Sequence, residues 1–290
     1  MQNDTPLSPD ELYEHALDVI RKSELSKYFD QLAPRFDFSI EIETEAAPDE
    51  DIPIGSHKIG GSPDVAPDFE WPLWNGEPLT FIAQFDLSSL VPFDPRGLLP
   101  SHGLLSFFSM LRPTLFEPED FLMEGIIGME PETRGAWRVL HTSSAHPLER
   151  RTSPLENEWA SYPAERVSGV WNSIELPDWC EIIAPDGIWD EDEFFGSVHD
   201  AYRDIQRNLF PPISLPHDHY LLGYAHYRQD EMRGLAADFI DRDEISMRSL
   251  AQFSSRREMT FAGDGYGYFF IEKNDLKAGD FSQSYFSLQR

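Results

Sequence analysis

Two blocks of this chain, FIAQFDLSSL at 81–90 and SLAQFSSRRE at 249–258, share Ala-Gln-Phe at 83–85 and 251–253. Each is followed by a glycine-led aromatic run, GLLSFFSM from Gly103 and GYGYFFIE from Gly265. The same order therefore occurs twice: a strand with a buried glutamine, a loop, a glycine, and a strand carrying Phe-Phe. That order limits the fold more than any single motif does. It predicts a mainly β fold (α+β) in which two related antiparallel β-units share one core.

The flanking sequence adds helices. Ser8, Pro9 and Glu11 form a capping box with proline at the first helical position, and Leu12, Ala16, Leu17 and Ile20 follow at helical spacing. Leu25, Phe29 and Leu32 suggest a second short helix, and VHDAYRDIQRNLF a late one ended by Pro211 and Pro212. After Pro34 the period becomes two. In FDFSIEIET, Phe36, Phe38, Ile40 and Ile42 alternate with Asp37, Ser39, Glu41 and Glu43, which predicts a half-buried strand with a solvated acidic face. The run WCEIIA is read as a strand. The organisation expected is an N-terminal helical segment, 1–35, and one β-rich domain with an internal repeat, 36–290.

The charge balance shapes the functional reading. There are 52 acidic residues against 23 basic ones, a formal charge of −29. Such a field repels nucleic acid and anionic membranes and attracts basic proteins. The acidity recurs along the chain, in EIETEAAPDED and in WDEDEFFG, which favours acidic faces on a folded domain over a detachable tail. No apolar run approaches the roughly 20 residues of a membrane span. No secretory signal is visible, and a single cysteine, Cys180, excludes a disulfide framework, so a cytoplasmic location is expected.

Several blocks resemble one family. HKIGGSPDVAPDFEWP, PLTFIAQFDLSSL with LLPSHGLLSFF, HYLLGYAHYRQDEM and FAGDGYGYFFIEKNDLKAGDFS are similar, in order, to the signatures of YwqG-like proteins, an uncharacterised bacterial family. The chain departs from that pattern at Phe261-Ala262-Gly263-Asp264, where the family usually has Trp-Gly-Asp. The resemblance implies a mainly β fold of two related units with no established enzymatic activity. Because such proteins are often encoded near toxin systems, it also implies an immunity or accessory role.

Candidate chemistry is sparse. The glycines of FAGDGYGYFFI lead into a β-rich run instead of a helix N-terminus, which favours a turn over a phosphate loop. Lys58 in KIGGSP could grip a carboxylate, but a turn beside the sheet is the favoured reading. Gln84 and Gln252 read as buried amides bonded to loop backbone. His217, His219 and His226, with Asp218, carry no metal signature, and no metal or other cofactor is expected. DEDE at 190–193 lacks the EF-hand pattern. Cys180 lies in the acidic PDWCEI, and no nucleophile elbow is present.

The expected function is therefore a non-enzymatic acidic binding protein, an immunity or accessory protein that neutralises a basic bacterial toxin. Its expected contacts are Glu41, Glu43, Glu45, Asp49, Glu50 and Asp51, with Asp190, Glu191, Asp192 and Glu193, helped by exposed aromatic side chains. The alternative is an enzyme or small-ligand-binding protein with Lys58, Gln84, Gln229 and Asp264 converging in a cleft between the β-units.

Overall fold

The computed structural model describes residues 7–110, 128–143, 147–155, 161–183, 187–209, 219–229, 232–256, 259, 261 and 264–289. Its centre is a ten-stranded antiparallel sheet, nearly barrel-shaped. In chain order the strands are β1 (Asp37–Ala46), β2 (Lys58–Ile59), β3 (Thr80–Asp86), β4 (Leu104–Ser109) and β5 (Trp137–Thr142). They continue as β6 (Glu165–Glu175), β7 (His219–Leu222), β8 (Met247–Ser254), β9 (Tyr266–Glu272) and β10 (Tyr285–Gln289). The spatial order is β10-β9-β8-β7-β1-β6-β2-β3-β4-β5.

That order is a duplication with an exchange. β2 to β5 and β7 to β10 are two equivalent four-stranded runs, but the strand leading each half sits against the other half. β1 pairs with β7, and β6 pairs with β2. β1 and β6 pair with each other at the centre.

The repeat seen in the sequence holds residue by residue. Ala83 pairs with Phe107 and Ala251 with Phe269, and each strand carries a register shift one residue earlier, at Ile82 and Leu250. Even the leading glycines share a cause. A Cβ at Gly103 would lie 2.6 Å from the Thr142 carbonyl oxygen, and one at Gly265 would lie 2.2 Å from that of Gln289. Both glycines are where the chain passes hard against the last strand of its half. Within FAGDGYGYFFI, the Gly265 amide donates to the Phe261 carbonyl at 2.9 Å and Tyr266 to Ile271 is strand, as its β-rich residues implied.

The halves meet through the Phe residues of the repeat. Phe107 lies 5.3 Å from Phe253 and 5.0 Å from Phe269, ring to ring, and Phe85 stacks on Phe253 at 6.3 Å. These buried rings knit the two units into one core. Where the ends of the sheet approach, Trp137 Nε1 donates to the Ser284 carbonyl at 2.7 Å.

A second, smaller core lies over one end of β6. Helix α1 (Pro9–Lys22), with the expected Ser8–Glu11 capping box, buries Leu12, Ala16, Leu17 and Ile20. Helix α2 (His199–Leu209) meets it with Tyr202, Ile205 and Leu209. Between Ser26 and Arg35 the chain makes short helical turns. Phe210, expected as the last residue of α2, and Pro211 and Pro212, expected to end it, lie outside the described residues.

Two local expectations are corrected. The predicted polar face of β1 is solvated only at Glu43: Asp37, Ser39 and Glu41 are buried. β1 is central in the sheet, and its polar side chains bond neighbours there, Ser39 to Ser173 and Glu175 and Glu41 to the Trp171 indole. WCEIIA is not a strand. Asp178 caps a short helix, Trp179–Ile182, by accepting from the Cys180 amide, and that local bond prevails over the apolar run.

Candidate functional site

The duplicated scaffold creates two matched polar centres. In the first half, Gln84 on β3 accepts from the Asp64 amide at 2.8 Å. In the second, Gln252 on β8 accepts from the His226 amide at the same distance. Asp64 and His226 each stand three residues after a glycine of positive φ, Gly61 and Gly223. The scaffold is the same at both places, but the chemistry is not.

The first centre is a closed ion network. Lys58 is fully buried, with Nζ 3.0 Å from Asp49 Oδ1 and 3.6 Å from Asp64 Oδ1. Arg150 Nε reaches the same Asp64 oxygen at 2.9 Å. Asp64 Oδ2 accepts from Gln84 Nε2 at 2.7 Å and from the Gly55 amide at 2.9 Å. Burial pulls the Lys58 ammonium below the ordinary lysine value despite its two carboxylates. Burial alone would raise Asp64, but Arg150, the Gly55 amide and Lys58 hold it below the usual carboxylate value. The network consumes its own charges, which leaves the Lys58 cation committed to holding loops onto the sheet.

A neighbouring histidine–serine pair has its acceptor nitrogen occupied. His57 Nε2 lies 2.7 Å from Ser89 Oγ, but the Asp86 amide donates to Nδ1 at 3.0 Å. That bond assigns the neutral ring's proton to Nε2, which donates to the serine. The imidazole therefore holds no free base facing Ser89.

The second centre is open. His226 Nε2 lies 3.2 Å from Glu175 Oε2, at the end of β6. The Tyr220 ring sits 4.6 Å from the imidazole, and Tyr268 donates its hydroxyl to the His226 carbonyl at 2.8 Å. Burial opposes charge on both partners, yet the pairing prevails. Glu175 holds the imidazole above its ordinary value, and His226, with Ser39 and Ser173, holds the carboxyl below its own. One third of the His226 side chain stays exposed, at 34%, whereas Glu175 is buried. The exposed part faces a cleft of about 270 Å³ between α2, the end of β6 and the 224–227 loop.

Trp179, which follows the cleft residue Asp178 in the chain, forms an exposed aromatic pair with Phe195. Trp179 and Phe195 are 38% and 48% exposed and contact edge to face, with centroids 5.2 Å apart. Asp190, Glu191, Asp192 and Glu193 precede Phe195 with one residue, Phe194, between, and all four are exposed.

The residues singled out in the sequence are scattered. Lys58 and Gln84 pair across β2 and β3 inside the ion network. Gln229 and Asp264 are exposed on the second half. The four do not share one network. Among the carboxylates, Glu41 is buried, Asp49 belongs to the ion network and Glu45 pairs with Arg166 at 2.7 Å. Glu43, Glu50 and Asp51 are exposed. Cys180 Sγ lies 3.5 Å from Asp178 Oδ1, a neighbour of the wrong charge for an activated thiolate. His217 and Asp218 lie outside the described residues, and His219 is buried beside Phe253. Among the described residues no group of three or more His, Cys, Asp or Glu side chains is arranged to hold a metal ion.

Sequence reasoning missed Glu175, Arg203 and Arg207 at the cleft. The signal that leads there is the alignment of KIGGSPD (58–64) with YLLGYAH (220–226), which sets His226 opposite Asp64.

Residues 57–289 match the model of a family described as a domain of unknown function, DUF1963. The chain belongs to the DUF1963 family. No curated protein matches it. The matched span of the DUF1963 domain begins beside Lys58 and includes Asp64, Gln84, Glu175, His226 and Gln252, while Asp49 and β1, central in the sheet, precede it. Among the described residues no helix is long and apolar enough to cross a membrane.

Proposed function

We propose that the protein is a non-enzymatic binding protein that docks a basic partner protein on the face formed by Trp179, Phe195 and the carboxylates of 190–193. The YwqG-like resemblance of its sequence blocks points to a bacterial toxin as the partner, with this chain as the immunity or accessory protein. The lone cysteine suits a cytoplasmic setting.

The observation that carries the reading is the Trp179–Phe195 pair. Two large rings, both over a third exposed and in mutual contact, cost hydration free energy that a partner would recover by covering them. Exposed carboxylates beside them, in a chain of −29, select a basic surface and raise its encounter rate. The other acidic segment suits the role less, because Glu41 is buried, Asp49 is in the ion network and the exposed Glu45 is paired with Arg166.

Cross-linking mass spectrometry in the native host tests this. The expected result is a basic protein whose cross-links cluster around 178–195, lost in a Trp179→Ala/Phe195→Ala variant. Cross-links confined to other faces, or a partner without basic character, would overturn the reading.

A further inference from the structure

We propose that the cleft beside His226 is a binding site for a small organic acid, its carboxylate held by Arg203, Arg207 and the Nδ1 of His226. This stands apart from the aromatic docking face and rests on different residues.

Charge favours an anion in this cleft. Acidic residues outnumber basic ones by more than two to one in the chain, yet the lining of this cleft gathers two arginines and a histidine against Glu175 and Asp178. Both carboxylates are engaged. Glu175 accepts from Ser39 and Ser173 on one oxygen and meets His226 on the other, and Asp178 caps the following helix. The cations are freer. Arg203 has no ion-pair partner among the described residues, and Arg207 bonds only Asp204, one turn back on the same helix, at 2.5 Å. The guanidinium groups, four residues apart on α2, flank the cleft from one side.

The imidazole is preorganised. Glu175 and the Tyr220 ring fix the imidazole, and Gln252 and Tyr268 pin its backbone. With Nε2 committed to Glu175, Nδ1 is the ring's open donor. An imidazolium N–H and guanidinium forks on the rim make a charge-assisted seat for a carboxylate.

Size and lining favour a small ligand. The cleft, at about 270 Å³, is below the usual range for drug-sized ligands. Leu176, Leu209 and Ala225 give it an apolar wall suited to a short hydrocarbon body. A large nucleotide would not be enclosed, whereas a dicarboxylic acid of a few carbons would.

The test is an NMR titration of the full chain with succinate, following the His226 ring resonances, with neutral succinamide as control. A saturable shift is expected with succinate alone. Its affinity should fall by about tenfold or more in Arg203→Gln/Arg207→Gln, through loss of charge-assisted contacts. Both arginines are exposed, so the variant should fold, which its thermal melt verifies. No saturable shift, an equal response to succinamide, or an unchanged affinity in the double variant would each overturn the proposal.

Discussion

Asp64 and His226 occupy the same place in the two halves of the molecule. Each donates its backbone N–H at 2.8 Å to a strand glutamine, Gln84 or Gln252, that the duplication has preserved. Around this common bond one half has built a closed ion network and the other an imidazole–carboxylate pair open to a cleft. The halves therefore share a scaffold and divide the roles. One anchors loops and the other presents chemistry to solvent.

The glutamines should differ in weight. Gln84 makes three bonds, accepting from Asp64 and donating to Ser56 and to the Asp64 carboxylate. Gln84→Leu leaves buried partners unsatisfied and should cost about 1–3 kcal/mol, measured by urea unfolding. Gln252→Leu should cost less.

Lys58 should behave as a structural cation. Lys58→Met removes one of the two cations, with Arg150, that contact both Asp49 and Asp64, and leaves buried carboxylate with less compensation. A loss of about 3–5 kcal/mol is expected in unfolding free energy. If Lys58→Met folds with undiminished stability, the closed-network account of the first half fails.

The two halves also share a backbone conformation that only one can fill with a side chain. Gly60 has φ +63 and its counterpart Leu222 has φ +61. A Cβ at Gly60 would stand 2.1 Å from the Pro163 carbonyl oxygen. Gly60→Ala should therefore destabilise by more than about 3 kcal/mol in thermal or urea unfolding, from clash as well as backbone strain.

The Glu175–His226 pair sets a pH window. His226 is raised in the folded state, so its contribution is complete below its ordinary value of 6.5 and fades as pH rises through the folded value. Glu175 is lowered, so its contribution is complete above its ordinary value of 4.5 and fades as pH falls through the folded value. The stability difference between wild type and Glu175→Gln should be greatest between those two values and shrink on both sides. Urea midpoints across that range measure it; a difference that grows steadily above neutral pH contradicts the pairing.

Much of the architecture was legible because it rests on local signals. Ser8 and Glu11 announced a helix start, and the repeated Ala-Gln-Phe, glycine and Phe-Phe announced the two β-units. The exchange of β1 and β6 between halves was not legible, because strand alternation says which residues share a face and nothing about which strand lies alongside. For the same reason Glu41 read as solvated when its strand is central and its carboxylate meets Trp171. The Glu175–His226 contact joins residues 51 apart in sequence through a register that only the folded sheet defines. Trp179 and Phe195 carry no local signal of their role, and only their exposure in the folded chain marks them out.

The measurement that most directly tests the proposed role is the affinity of the cross-linked partner for wild type and for Trp179→Ala/Phe195→Ala, each at low and high salt. Raising the salt from physiological strength to 1 M shortens the Debye length from about 8 Å to about 3 Å. The account predicts that wild-type affinity falls with salt and that loss of the two rings weakens binding at every salt concentration. An affinity indifferent to both the rings and the salt would contradict it.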